Sequence, residues 1–210
     1  MSSSTPKVIS EEPLENKDSK WIKLVKLTYT TPDSRTRPYE SAIRATRPKN
    51  TDIDSVGITA ILQQENDKGP PLILLQKQFR PPVNKVCIEI PAGLMDEGES
   101  AEECALRELK EETGYVGTVE EGARGVVIFN DPGFTNTNLR MIRVNIDMSR
   151  PENQSPQPQL EENEFIECFT VPLTDLYSEC ERLEKEGFAI DARVGTIAEG
   201  VELARLWKLN

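Results

Sequence analysis

The chain has 210 residues, of which 37% are hydrophobic and 29% charged, with a formal net charge of −11 and no histidine. That length fits one compact domain with room for a small appended sheet. The acidic excess speaks against nucleic acid, whose binding needs a basic patch to displace counterions. The lack of histidine excludes Ser-His-Asp and Cys-His catalysis, His-ligated zinc and a histidine general base.

In chain order, residues 1–18 are polar, with Ser, Pro and mixed charge, and read as a flexible tail. They hold no apolar signal-peptide core, and no later run approaches membrane-spanning length. The expected compartment is the cytoplasm, with the nucleus also open. Residues 21–29 alternate as a strand, Pro32-Asp33-Ser34 signals a turn and 37–46 return, so 19–50 form an N-terminal antiparallel segment. Residues 51–210 make up the main domain. There, 56–62 and 72–76 are apolar runs flanking a polar turn at 64–69, and 86–90 is a short buried strand. Ser100 is the predicted N-cap of a helix over 101–113, with Glu103 completing a capping box and Gly114 ending it. Strands follow at 126–129 and 139–146, where Ile142, Val144 and Ile146 alternate with Arg143 and Asn145. Residues 151–163 are rich in Pro, Gln and Glu and read as a flexible loop. A strand at 164–171 and helices at 173–186 and 191–206 close the chain. This order predicts an α/β sandwich with a mixed sheet. Cys87, Cys104, Cys168 and Cys180 show no Cys-x-x-Cys spacing and sit in apolar segments, as expected of buried free thiols in a reducing compartment.

The richest stretch is residues 93–115, GLMDEGESAEECALRELKEETGY. On its helix, Ala105, Glu108 and Glu112 share one stripe, and Leu106, Leu109 and Thr113 form a neighbouring stripe facing the core. Glu103 and Lys110 point outward. Like charges four residues apart weaken a helix. Arg107, four residues before Glu111, offsets part of the charge. A divalent cation such as magnesium, which prefers carboxylate oxygens, is suited to offset the rest. Metal ions and a few placed arginines would also reconcile the acidic chain with an anionic substrate. Gly93 is expected to permit a backbone turn beside the helix.

Gly93, Glu99, Arg107, Glu108, Leu109, Glu111, Glu112 and Gly114 stand in register with the signature G-x5-E-x7-R-E-U-x-E-E-x-G-U, in which U is a bulky apolar residue. Only Tyr115 departs from it. On these residues the chain resembles the Nudix hydrolase family. The resemblance implies a Nudix-type α/β/α sandwich, metal ligands at Glu108 and Glu112 with the Ala92 carbonyl, and an Arg107 that pairs with a signature glutamate. It implies hydrolysis of a nucleoside diphosphate linked to another group, in which Mg2+, with Mn2+ as a possible substitute, neutralises the diphosphate and acidifies a water.

Further segments are similar to the ADP-ribose and ADP-sugar pyrophosphatase branch, and to its fungal members in particular. They are Gln78-Phe79-Arg80-Pro81-Pro82, Glu89-Ile90-Pro91-Ala92-Gly93-Leu94, Phe129-Asn130-Asp131-Pro132-Gly133 and Asn163-Glu164-Phe165-Ile166-Glu167. By this resemblance the substrate is ADP-ribose or another ADP-sugar, split to AMP and ribose 5-phosphate. Arg80 binds phosphate, Trp21 and Tyr39 clamp the adenine, and Glu40, Arg44, Leu94 and Asp131 line the cleft. The hairpin is exchanged between the subunits of a homodimer. Glu164, on a loop, activates water or joins the metal shell, and Arg107, Glu111 and Glu112 complete the catalytic group. Phe79 and Phe134 are expected to pack. Two alternatives stay open: hydrolysis of another nucleoside diphosphate derivative, such as an oxidised nucleotide, and a non-catalytic ADP-ribose-binding module.

Overall fold

The structure, a computed structural model, describes residues 6–63, 69–122 and 125–209. The expected polar turn at 64–69 lies outside them except for Gly69. Strands β1 (Ile22–Thr30) and β2 (Thr36–Arg44) form a separate two-stranded antiparallel sheet, joined by a turn with Ser34 at φ 63°. The larger sheet has nine strands: β3 (Ser55–Gln63), β4 (Leu72–Arg80), β5 (Lys85–Glu89), β6 (Ala92–Leu94), β7 (Thr118–Val119), β8 (Val127–Phe129), β9 (Asn138–Asp147), β10 (Ile166–Pro172) and β11 (Ala189–Ile190). Its main path is β11-β5-β4-β3-β9-β7, with β10 on β4, β6 on β3 and β8 on β9. Two pairs are parallel, β3 with β9 and β11 with β5, so the sheet is mixed as predicted.

Helix α1 (Ala101–Thr113) covers one face of this sheet. Helices α3 (Leu176–Lys185) and α4 (Ala192–Trp207) cover the other; the short α2 (Pro151–Gln154) lies between β9 and β10. Strand alternation divides the core between the two faces. Val56, Ile58, Ala60 and Leu62 of β3, with Ile142, Val144 and Ile146 of β9, pack under α1 beside Cys104, Ala105 and Leu109. Ile73 and Leu75 of β4 pack with Leu176, Leu183, Val194 and Ala198 beneath α3 and α4. Leu106, expected in the core, stands exposed on α1, and Phe134 is also exposed. Three of the four cysteines are buried and Cys168 is half-buried; all four are free thiols.

One expectation changes. The loop over 151–163 begins with α2, and its Asn153 is 1% exposed. The Asn153 amide accepts from Val116 N and donates to the carbonyls of Val116 and Asp147, so this buried side chain serves backbone groups that would otherwise be unpaired. Residues 6–18 hold no helix or strand, yet two contacts tie them down. Val8 N–H donates to Asn84 Oδ1 at 2.8 Å, and Asn16 exchanges two hydrogen bonds with the backbone of Leu24.

The segment between hairpin and main sheet is a strut. Arg47 makes a bidentate pair with the buried Asp54 (2.9 and 2.8 Å), and Asp54 also accepts from Asn138 N at the start of β9. The hairpin docks on the loop after β8, where Ala42 N–H donates to the Phe134 carbonyl and Tyr39 Oη to that of Gly133.

Candidate active site

Helix α1 starts and stops where its sequence says. Ser100 Oγ accepts from Glu103 N, the Glu103 carboxylate accepts from Ser100 N, and Gly114 ends the helix at φ 76°. With both ends fixed, the Glu108/Glu112 stripe lies over β6 and the centre of β4. Gly93 lies within β6, paired to Val56 of β3, and not in a turn. A Cβ there would sit 1.8 Å from Glu108 Cδ. Glycine is needed at this position because the carboxylate occupies the space a side chain would take.

Arg107 binds more partners than the single glutamate expected. Its Nε and Nη2 grip Glu99 at 2.8 and 2.9 Å, Nη1 reaches Glu108 at 2.9 Å and Glu111 at 3.1 Å, and Nη2 donates to the Leu94 carbonyl. The Arg107 hydrogen bond holds the Glu99 carboxyl below the usual range. Burial pushes the Glu108 carboxyl up, against the pull of Arg107. Glu112 is 5% exposed, and its Oε2 accepts from Ala92 N at 3.0 Å. Burial drives its pKa up to about 8, with Glu108 and Glu164 adding repulsion, while the Ala92 amide and the neighbouring Gln76 side chain favour the charged form. Gln76 is close enough for that influence, yet neither of its amide atoms has a hydrogen-bond partner among the described residues.

These side chains surround a cleft of about 540 Å³. Ala92, Gly93, Leu94, Asp96 and the α1 acids form one wall, Gln78 and Arg80 of β4 another, and Gln159, Glu161 and Glu164 of the loop before β10 a third. Glu164 is held in its loop by a bond from Glu161 N to its carboxylate at 3.0 Å. Arg80 makes a bidentate pair with Glu89 (2.8 and 2.6 Å), and Glu89 is 3% exposed. This hydrogen bonding raises the Arg80 pKa further. Six acids face two arginines across the cleft, and both arginines are already paired.

The donor set suits a hard divalent cation: carboxylate oxygens, with no imidazole and no Cys among the lining residues. The uncompensated negative charge and the orphaned Gln76 amide agree with it. Among the described residues no three acidic side chains already converge at metal-holding spacing, because Glu108 is drawn to Arg107 and Glu164 to its own loop. Of the sequence-predicted residues, Arg80, Ala92, Leu94, Arg107, Glu108, Glu111, Glu112 and Glu164 come together in the cleft. Trp21, Tyr39, Glu40, Arg44 and Asp131 do not. Trp21 is 62% and Tyr39 46% exposed on the hairpin, where Glu40 is exposed too and Arg44 is half-buried. Asp131 lines a different cavity, beside Val83 and the start of α4. Within one chain these five stand apart from the α1 cleft. The loop after β8 turns toward β2, away from α1.

Sequence reasoning left Gln76, Gln78, Glu89, Asp96, Gln159 and Glu161 out of the site. Strand parity on β4 could have found the first two, since Gln76 and Gln78 share a face with Arg80.

A mixed α/β/α fold whose single-helix acids line a carboxylate-rich cleft fits a class of hydrolases that work around divalent cations. The NUDIX domain model matches residues 54–193, and the chain belongs to the NUDIX family. It is 50% identical to the ADP-ribose pyrophosphatase of Saccharomyces cerevisiae over 196 residues, covering 93% of this chain and 83% of that one. It is 37% identical to the ADP-sugar pyrophosphatase of Mus musculus over 188 residues, 89% of this chain and 83% of that one. Among solved structures it is similar to a crystal structure of ADP compounds hydrolase, with a TM-score of 0.58 at 17% identity over 96% of this chain and 90% of that one. At that identity the likeness bears on the fold alone.

Proposed function

We propose that this protein hydrolyses ADP-ribose, and other ADP-sugars, to AMP and ribose 5-phosphate with the help of Mg2+ or Mn2+. The observation that carries the reading is the acidic excess of the α1 cleft, set beside an arginine on β4 held by a buried glutamate. An anionic diphosphate enters such a cleft only if cations reverse its charge. The relatives that act on ADP-ribose and ADP-sugars match along most of this chain, which supports the substrate class.

Glu108, Glu112, Glu164 and the Ala92 carbonyl would hold the cation. When bound, it supplies neutralisation of the diphosphate and acidification of water. The chain's own residues do the rest. Arg80 is a planar fork of donors kept in place by Glu89 and suits a phosphate. Glu164 sits on the loop before β10 and, once released from Glu161 N, would orient water and take its proton. Arg107 fixes Glu99, Glu108 and Glu111 relative to the β6 backbone, and Leu94 floors the entrance. Trp21, Tyr39, Glu40, Arg44 and Asp131 would serve the cleft of a second copy in a homodimer. The exposed Trp21, Ile22, Leu24, Leu27, Tyr29 and Tyr39 of the hairpin support that arrangement, since a water-facing cluster of this kind marks an interface.

The test is turnover of ADP-ribose against a panel of ADP-sugars and oxidised nucleotides, with and without Mg2+, in 18O-labelled water. ADP-ribose should be preferred, with turnover lost in chelator and label in one phosphate product. Preference for an oxidised nucleotide, or binding with no turnover, would overturn the reading.

A further inference from the structure

On β4, Leu74 packs under α1 while Leu75 packs on the opposite face; Gln78 and Arg80 line the cleft. Strand parity therefore turns Gln76 toward α1, between the apolar core and the cleft floor. Its cross-strand neighbours are Cys168 on β10 and Glu89 on β5. Both have partners elsewhere: Cys168 Sγ donates to the Glu112 carbonyl at 3.8 Å, and Glu89 binds Arg80. Gln76 is 0% exposed, and both its amide nitrogen and its amide oxygen lack a hydrogen-bond partner among the described residues.

A buried amide without partners destabilises a fold, and an apolar residue of similar volume would serve this strand better. Such a group persists where another state uses it. The nearest demand is Glu112. Its Oε2 is held by Ala92 N–H, and the Gln76 side chain lies near enough to favour its charged form. We propose that Gln76 is a positioning residue of the cation site, whose amide N–H holds the Glu112 carboxylate in line for a divalent cation while its amide oxygen accepts from water beside that cation. The role rests on the cation reading above. It gives this chain a third anchoring point for Glu112, after the helix that carries it and the Ala92 amide.

Gln76→Leu and Gln76→Met remove both polar atoms at nearly constant volume. In chelator, each variant should keep or raise the Tm of the parent. Mn2+ binding by titration calorimetry should weaken about tenfold, the size expected for one lost hydrogen bond to a charged group. In the assay with ADP-ribose, kcat should fall while KM for the nucleotide stays within about twofold, since the residue touches no part of it. Should the leucine variant fail to fold, the unbranched methionine carries the test. A Mn2+ Kd within twofold of the parent in the folded variants would overturn the proposal, and a lower Tm at unchanged Mn2+ affinity would make Gln76 a packing residue only. If the parent itself binds no Mn2+, the cation reading falls, and the two failures are told apart.

Discussion

The α1 cleft and the β1–β2 hairpin are both rich in side chains suited to a nucleotide, but they differ in what holds those side chains. In the cleft, each arginine is gripped by glutamates of the same chain and the central acid is 5% exposed. On the hairpin, β1 is exposed along nearly its whole length, and Trp21, Leu24 and Leu27 stand in solvent. A two-stranded sheet is marginal alone, and this one leans on a few bonds to the loop after β8. The difference separates two tasks. Chemistry is assembled within one chain, where distances must be kept. On the function proposed above, recognition of the base falls to a surface that a second copy would complete.

The comparison breaks most readily at the cleft. Glu112→Gln should lower Mg2+-dependent turnover by roughly 1,000-fold or more, the scale of several kcal/mol of charge stabilisation, while unfolding in chelator stays cooperative. Retained turnover in a steady-state assay would remove Glu112 from the metal shell. Next in size, Gly93→Ala forces a methyl group into the Glu108 carboxylate. It should cost about 100-fold in kcat and about 1–3 kcal/mol of stability by denaturant unfolding, as overpacking does.

At the hairpin the expected effects are smaller and of another kind. Tyr39→Ala should raise KM for ADP-ribose about five- to tenfold and change kcat less, because stacking of this strength acts on the ground state. An unchanged KM would place the base elsewhere. Leu24→Asp with Leu27→Asp should shift the protein to a monomer in sedimentation, leaving its far-UV spectrum intact.

The smallest effect sharpens the electrostatic side. The Glu112 carboxyl titrates near 8 in the fold and at 4.5 when unperturbed. The native state thus keeps a proton that the unfolded chain has lost. Its contribution is fully present below about pH 4.5 and disappears as pH rises through 8. In chelator, Tm should decline by a few degrees from pH 5 to pH 8, and Glu112→Gln should flatten that slope. Cation affinity should rise over the same window as the proton leaves.

Much of this was legible in residue order. Helix α1 has the bounds that Ser100, Glu103 and Gly114 announce, because caps are local chemistry. The strands of the core follow their alternation, and the fixed spacing from Gly93 to Gly114 located the acids. What stayed hidden depends on register or on very short segments. The Arg80–Glu89 pair forms because β4 and β5 turn tightly through Asn84, at φ 50°, and place the two residues on one face. Strand β6 has three residues and α2 has four, too few to show a period. Gln76 looked like the end of an apolar run, and only the packed sheet reveals that its amide is enclosed without partners among the described residues. The turn expected at Gly93 was wrong for a physical reason: glycine serves close approach there, and spacing alone cannot tell that from a bend.

The central claim is that the carboxylates of one capped helix grip the cations that let a diphosphate be broken. A crystal structure with Mn2+ and a non-hydrolysable ADP-ribose analogue, phased for anomalous scattering from manganese, tests it most directly. The account predicts Mn2+ peaks within coordination distance of Glu108 and Glu112, with the analogue's diphosphate between them and Arg80. Manganese bound away from both glutamates, with the analogue seated in this cleft, would contradict it.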